Sequence, residues 1–191
     1  MYVQSLLAIF CLLMGSYSQE TGKQPEEDVA NFEDQDLTKM LDVTGKHWVK
    51  RRTHEVTSPY GDPKCEYARI FGSADGAGEK TYTLVLGARF GKTWVTRNQT
   101  LVLTNSGGHP KPNVMKFVRN RVDGLQEHKL LYSNYEDCSI IRITKKGGGL
   151  FCDLLLLESA ASSDPPTPCK EKFEKYCAGN KIEVYTPDCT T

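Results

Sequence analysis

The chain has 191 residues, with 24 basic and 24 acidic side chains and 39% hydrophobic residues. That length fits one domain with a core large enough to enclose a small ligand. The balanced charge removes the usual ground for binding nucleic acid or an anionic membrane.

Residues 1–18 read as a signal peptide: Leu6 to Met14 form an apolar run, and Ser16-Tyr17-Ser18 supplies small residues at the cleavage positions. The run is too short to span ~30 Å of hydrocarbon, so a secreted, extracellular protein is expected. Residues 19–35 are acidic and polar and read as a flexible leader, leaving 36–191 as the folded domain. Leu37, Met40 and Leu41 follow Asp36 at helical spacing, which predicts a short capped helix.

From Lys46 the period changes to two. Trp48, Lys50, Arg52, His54 and Val56 alternate with Val49, Arg51 and Thr53, and Ser58 to Pro63 ends the strand. Further strands are predicted at Lys64–Gly72, Lys80–Phe90, Lys92–Asn105, Val114–Val122, Leu125–Ser133, Cys138–Lys145 and Leu150–Glu158, each closed by turn residues. With the first they make eight, and their even spacing without intervening helices predicts an all-β, antiparallel up-and-down meander. Closing it into an eight-stranded barrel removes the exposed edges and leaves room for one small ligand. An open sandwich is the alternative. Asn98-Gln-Thr100 is a glycosylation sequon on a predicted strand, so its side chain is expected to face outward.

The last third carries most of the cysteines. Cys169, Phe173, Tyr176 and Cys177 lie on one helical face, Pro165, Pro166 and Pro168 precede them, Asp164 or Thr167 can cap the start, and Gly179 can end the helix. Of the seven cysteines, Cys11 falls in the signal peptide, and the other six are expected to form three disulfides in an oxidising compartment. Fifteen pairings of six cysteines are possible. No Cys-x-x-Cys or paired-His spacing points to a metal. Catalytic motifs are missing too: His47, His54, His109 and His128 form no HExxH, and Lys146 to Gly149 reads as a hairpin turn, not a phosphate loop.

The residues Tyr135-Glu-Asp-Cys138-Ser-Ile, Cys152-Asp-Leu, Cys169 with Phe173, and Cys189 resemble those of the tick salivary lipocalins, the histamine-binding protein family. The resemblance covers essentially the whole secreted chain, strongly from Tyr135 onward. It implies a lipocalin barrel with a short N-terminal helix and a disulfide-tethered C-terminal helix. It also implies the pairs Cys65–Cys189 and Cys138–Cys169, with Cys152–Cys177 as the remainder. Cys169 and Cys177 lie about 80° apart around a helix, so both can face the sheet.

Amine-binding members of that family carry Cys-Asp-(Val/Ile/Leu), a gap, then Glu-Leu-(Trp/Tyr), whose acids lie near the bound cation. Here the matching positions are Cys138-Ser139-Ile140 and Asp153-Leu154-Leu155, so one acid is serine, one is shortened and the aromatic is leucine. Glu136 and Asp137 stand beside the first element. With a turn at Lys146–Gly149, Arg142 is expected directly across from Asp153 on one face. Arg69, Arg119, Arg121 and Arg142 share predicted strands with apolar or aromatic residues and could hold a lipid carboxylate, while Tyr82, Trp94 and Phe117 are candidate wall residues. The resemblance implies capture of a host inflammatory mediator, either a biogenic amine such as histamine or serotonin or a leukotriene-type lipid, without a cofactor and as a monomer, to evade host defence. A protein-binding effector acting on complement or a protease through loops such as Ser106–Pro112 is the rival. A barrel with no cavity would favour it.

Overall fold

The computed structural model describes residues 23–56, 58–76, 79–145 and 148–190, with no account of the side chains of 73–81. The expected signal peptide therefore lies outside the described residues. Strands β1 (His47–Arg52), β2 (Lys64–Gly76), β3 (Glu79–Phe90), β4 (Thr93–Thr104), β5 (Val114–Val118), β6 (Leu125–Ser133), β7 (Cys138–Thr144) and β8 (Leu150–Leu157) run antiparallel in sequence order. β1 pairs with both β2 and β8, which closes the barrel. A two-residue strand, β9 (Ile182–Glu183), adds to the side of β1. Among the described residues no helix is long and apolar enough to cross a membrane.

Alternation along the strands divides the apolar residues between two cores. Leu84, Leu101, Met115, Phe117, Ile141 and Leu155 point inward. Helix α1 (Leu37–Leu41) plugs one end of the barrel with Leu37 and Met40. Its cap is the expected one: the Asp36 side chain accepts from the Thr38 amide at 2.9 Å. The opposite end, where the β1–β2, β3–β4 and β5–β6 connections lie, is the mouth.

The second core lies outside the barrel. Helix α2 (Thr167–Tyr176) lays Cys169 and Phe173 onto Ile140, Leu154 and Leu156 from the outer faces of β7 and β8. Pro166, not Asp164 or Thr167, occupies its N-cap, and no side chain caps the start. The three disulfides pair as the family resemblance implies, Cys65–Cys189, Cys138–Cys169 and Cys152–Cys177. Two of them bolt the ends of α2 to β7 and β8, and the third ties the chain terminus to β2.

The acidic segment expected to be flexible is held against the barrel over its described part. Pro25–Glu27 and Val29–Asp34 form 3-10 turns, and Glu26 is buried. Its Oε2 accepts from Arg142 Nη1 at 2.8 Å, while Arg142 also donates to Gln24 Oε1 at 2.5 Å and to the Tyr176 carbonyl at 3.1 Å. Arg142 therefore joins the leader, the sheet and α2. Breaking a buried pair from one side leaves a bare charge, so Glu26→Ala should cost about 3–5 kcal/mol. The double variant Glu26→Leu, Arg142→Met should recover most of that loss, read as urea midpoints of the two proteins against the parent.

Candidate functional site

The barrel encloses a cavity of about 580 Å³ that opens at the mouth. Its wall is mainly apolar, with Val49, Ile70, Leu84, Met115, Phe117 and Leu155 among the lining residues. One side carries charge. Arg119 Nη1 donates to Asp153 Oδ2 at 2.6 Å and its Nη2 to Glu66 Oε2 at 3.1 Å. Glu66 Oε2 also accepts from Arg52 Nη1 at 2.5 Å, and Asp153 Oδ1 lies 3.0 Å from His54 Nε2. Two guanidiniums and two carboxylates are thus interlocked inside the barrel, and Asp62 at the edge takes the other side of the Arg52 fork.

Local sequence explains how these groups meet. Met115 and Phe117 face inward on β5, and Arg119 continues their alternation beyond the last paired residue. β5 ends at Val118, well short of the expected Val122, because the Gln99 side chain takes over from the ladder. Its Oε1 accepts from the Val118 amide at 2.9 Å and its Nε2 donates to the Val118 carbonyl at 2.8 Å. On β1 a bulge at Lys50 breaks the expected strict alternation, so that Val49 and Arg52 both turn inward. β1 also stops at Arg52, and His54 follows it into the cavity wall from the connection.

Ionisation follows from this packing. Burial raises the Asp153 carboxyl, but Arg119 and then the His54 hydrogen bond outweigh it, and the group is held well below the usual carboxylate range. Burial likewise disfavours the charge on Arg119, yet Asp153 and Glu66 hold its pKa above the ordinary arginine value. His128 has no such help. Burial, with Arg119 as the second cause, pushes it down to about 3. The Met115 and Gln126 backbones favour its charged form slightly, but neither ring nitrogen meets a hydrogen-bond partner. The ring lies flat on Phe117, with centroids 3.7 Å apart.

Of the residues expected to form a site, Asp153, Arg119 and Phe117 line the cavity. Arg142 does not. The β7–β8 turn takes in Lys145, whose amide donates to the Gly149 carbonyl, so the register runs one residue off the expected one. Ile141 faces Asp153, and Arg142 faces Cys152 on the outer surface. Arg69 is exposed on the outside of β2 and lies over the Phe71 ring. Trp94 is on the outer side beside Trp48 and Tyr67. Tyr82 packs against the inner core without bordering the cavity. Glu136 and Asp137 sit in the β6–β7 turn at the plugged end, where Asp137 accepts from Asn134 at 2.7 Å. Asn98 is exposed on β4. Glu66, Arg52, His54 and His128 were not among the expected ligand residues. The alternation of Glu66 with Ala68 and Ile70, and of His128 with Leu130, was the signal available for two of them.

The mouth has its own charge. Arg97 donates to the Val118 carbonyl and, with Arg121, has no carboxylate partner among the described residues. Burial and the Arg121 charge lower the Arg97 pKa. Around them Tyr60 and Val122 leave apolar surface open to solvent, at 75% and 71% exposure. The Ser106–Pro112 loop is at the other end, with Asn113 bonded to Ser106 and the His109 ring tilted against Phe32. Among the described residues no cluster of three or more His, Cys, Asp or Glu side chains is arranged to hold a metal ion.

A closed eight-stranded up-and-down barrel with a plugged base, an apolar cavity and a terminal helix on its flank defines a lipocalin. The family model described as tick histamine binding protein matches residues 25–191, and the chain belongs to that family. Solved structures share the fold at low identity. The serotonin complex of AM182 has a TM-score of 0.56 at 15% identity, covering 80% of this chain and 91% of that one. Insecticyanin from the tobacco hornworm Manduca sexta gives 0.57 at 12%, covering 82% and 84%. Apocrustacyanin C2 gives 0.50 at 12%, covering 81% and 84%. No curated protein sequence matches the chain.

The low pKa of His128 makes stability pH-dependent. The unfolded ring takes up a proton near 6.5, whereas the folded one resists until about 3. Its contribution is complete above ~6.5 and is lost as pH falls toward ~3, at up to about 1.4 kcal/mol per pH unit. Asp153, also held below its ordinary value, adds its own loss only below about pH 4. H128L should therefore flatten the decline of the urea midpoint between pH 6.5 and 4.5. Separately, Arg119→Ala strands two buried carboxylates and should lower stability by about 3–5 kcal/mol at pH 7, measured by the same unfolding titration.

Proposed function

We propose that this lipocalin is secreted and captures a small, largely apolar host mediator that carries an acidic group, of the leukotriene or other fatty-acid type. The observation that carries this reading is the Arg119 fork, which already occupies both inward carboxylates, Asp153 and Glu66. A buried ammonium needs carboxylates to replace its water, and here it would have to displace a guanidinium held by two acids. The vacant attraction is at the mouth instead, where Arg97 and Arg121 stand over an apolar cavity with no carboxylate partner among the described residues. An acidic lipid places its tail in the barrel and its carboxylate between those guanidiniums. Function is then stoichiometric capture, and affinity and concentration decide its effect on host defence.

Biogenic amine capture is the second reading. It is supported by membership of the histamine-binding family and by the barrel shared with a lipocalin solved in complex with serotonin. A protein-directed effector is less well supported, because the barrel is hollow and the Ser106–Pro112 loop is tied down at its plugged end.

Calorimetric titration of the purified protein with leukotriene B4, arachidonate, histamine and serotonin separates these readings. The acids should bind one to one, and Arg97→Ala and Arg121→Ala should each weaken them about two- to fivefold, more at low salt. Arg142→Ala should leave acid affinity alone, because that side chain is outside the barrel. Saturable binding of an amine with no heat from either acid would sink the acidic-lipid reading.

A further inference from the structure

Among the described residues, His128 is a buried polar side chain of the cavity with no partner at hydrogen-bond geometry, although the Met115 and Gln126 backbones lie near it. His128 is 2% exposed, borders the cavity, and neither ring nitrogen has a hydrogen-bond partner. Buried polar groups in folded proteins are nearly always paired, and leaving one unpaired costs about 1–3 kcal/mol. The charged groups beside it are engaged with one another: Arg119 is bonded to Asp153, Glu66 and His54, and His54 to Asp153. The imidazole is also fixed in place, stacked on Phe117 at an interplanar angle of 11°. Its neighbours across the strands are Met115 and Ile143, which offer only apolar side chains. It sits three residues in from Leu125 at the mouth end of β6, a depth of ~10 Å at the usual strand rise.

We propose that His128 is a specificity-determining residue of the cavity, reading an uncharged oxygen (a hydroxyl or keto group) on the buried part of the ligand. A neutral imidazole offers one donor and one acceptor, which suits a hydroxyl in either direction and a keto oxygen at its N–H. A second charge is disfavoured there, since a carboxylate would meet an uncharged ring and a cation would meet Arg119. The low pKa of the ring agrees with a neutral partner. This inference rests on the capture of an acidic lipid and narrows it: the tail is oxygenated along its length, not a plain hydrocarbon. A site built to bond an oxygen rejects the analogue lacking it, because the site's own group is then left unpaired.

The test uses arachidonate and a twenty-carbon polyunsaturated acid of the same kind bearing one mid-chain hydroxyl, titrated into the full secreted chain. The parent protein should prefer the hydroxy acid by about tenfold, the value of one buried hydrogen bond. In H128L that ratio should collapse to about one, and in His128→Gln, which keeps a donor and an acceptor, part of it should return. Because a core variant can fail to fold, the parent labelled with 15N-histidine supplies a second reading: the hydroxy acid should move one His128 ring nitrogen toward hydrogen-bonded values, and arachidonate should not. Equal affinity of the parent for both acids, or a preference that H128L retains, overturns the role of His128 while leaving acid capture standing. Binding of neither acid overturns both.

Discussion

Arg119 reaching across the barrel to Asp153 and Glu66 is the interaction on which the character of this lipocalin depends. Removing two carboxylates from water costs several kcal/mol each, and burying guanidiniums is no cheaper unless each finds its counter-charge and hydrogen bonds. The network meets that condition by sharing. Glu66 serves Arg52 and Arg119 together, and Asp153 serves Arg119 and His54. The buried charges balance without a ligand, so the barrel can present an apolar interior while carrying four ionised side chains in one wall. The same bond ends a strand. With Arg119 drawn inward and Gln99 completing the Val118 backbone, β5 stops early, and the following residues form the rim that carries Arg121 and Val122.

The outer surface repeats this device with a different purpose. Glu26 and Arg142 are as buried as the inner pair, yet they lie between the leader segment, β7 and the end of α2. Such a contact is weak as a source of net stability but strict as a fixture, because either partner alone is an uncompensated charge. Together with the Cys138–Cys169 and Cys152–Cys177 bridges it fixes α2 on the sheet and brings the N-terminal segment with it. The cavity wall formed by β7 and β8 is thereby backed by covalent and ionic contacts, which limits how far it can adapt to a ligand.

The fold was legible in the sequence where one physical rule acted alone. Turn residues bounded the strands, alternation put Asp153 on one face with Leu155 and Phe117 on one with Arg119 without saying which faces pointed inward, and the family's cysteine pattern gave the disulfides. Legibility ended where single residues alter register. Including Lys145 in the β7–β8 turn moved Arg142 to the opposite face from Asp153, and the bulge at Lys50 turned Arg52 inward without leaving a mark in the alternation. The partner that Asp153 does have, Arg119, comes from a strand that is not its neighbour, and no local pattern in a chain specifies a contact across a barrel. The leader looked mobile because its composition is polar. Specific contacts, among them Glu26 with Arg142, Gln35 with the Leu131 carbonyl and Asp34 with Lys172, hold the described part to the barrel.

Two departures from the amine-binding pattern of the family now read as one change. Where that pattern has an acid after the first cysteine, this chain has Ser139, buried and bonded to Ser133 at 3.0 Å; where it has an aromatic after the second acid, Leu155 stands directly opposite Ser139. Those substitutions remove a cage for a positive charge. The acid that remains, Asp153, is not idle, because Arg119 now acts as its resident cation. On the proposed reading, a guanidinium already bonded to Asp153 and Glu66 leaves those carboxylates less free for a ligand's ammonium. Among the described residues, Arg97 and Arg121 carry positive charge at the mouth without a carboxylate partner, and the unpartnered His128 ring lies about 10 Å further in. On the proposed reading, the polarity of the ligand is the complement of that arrangement: acidic at one end, apolar along most of its length, and marked by a single neutral oxygen between.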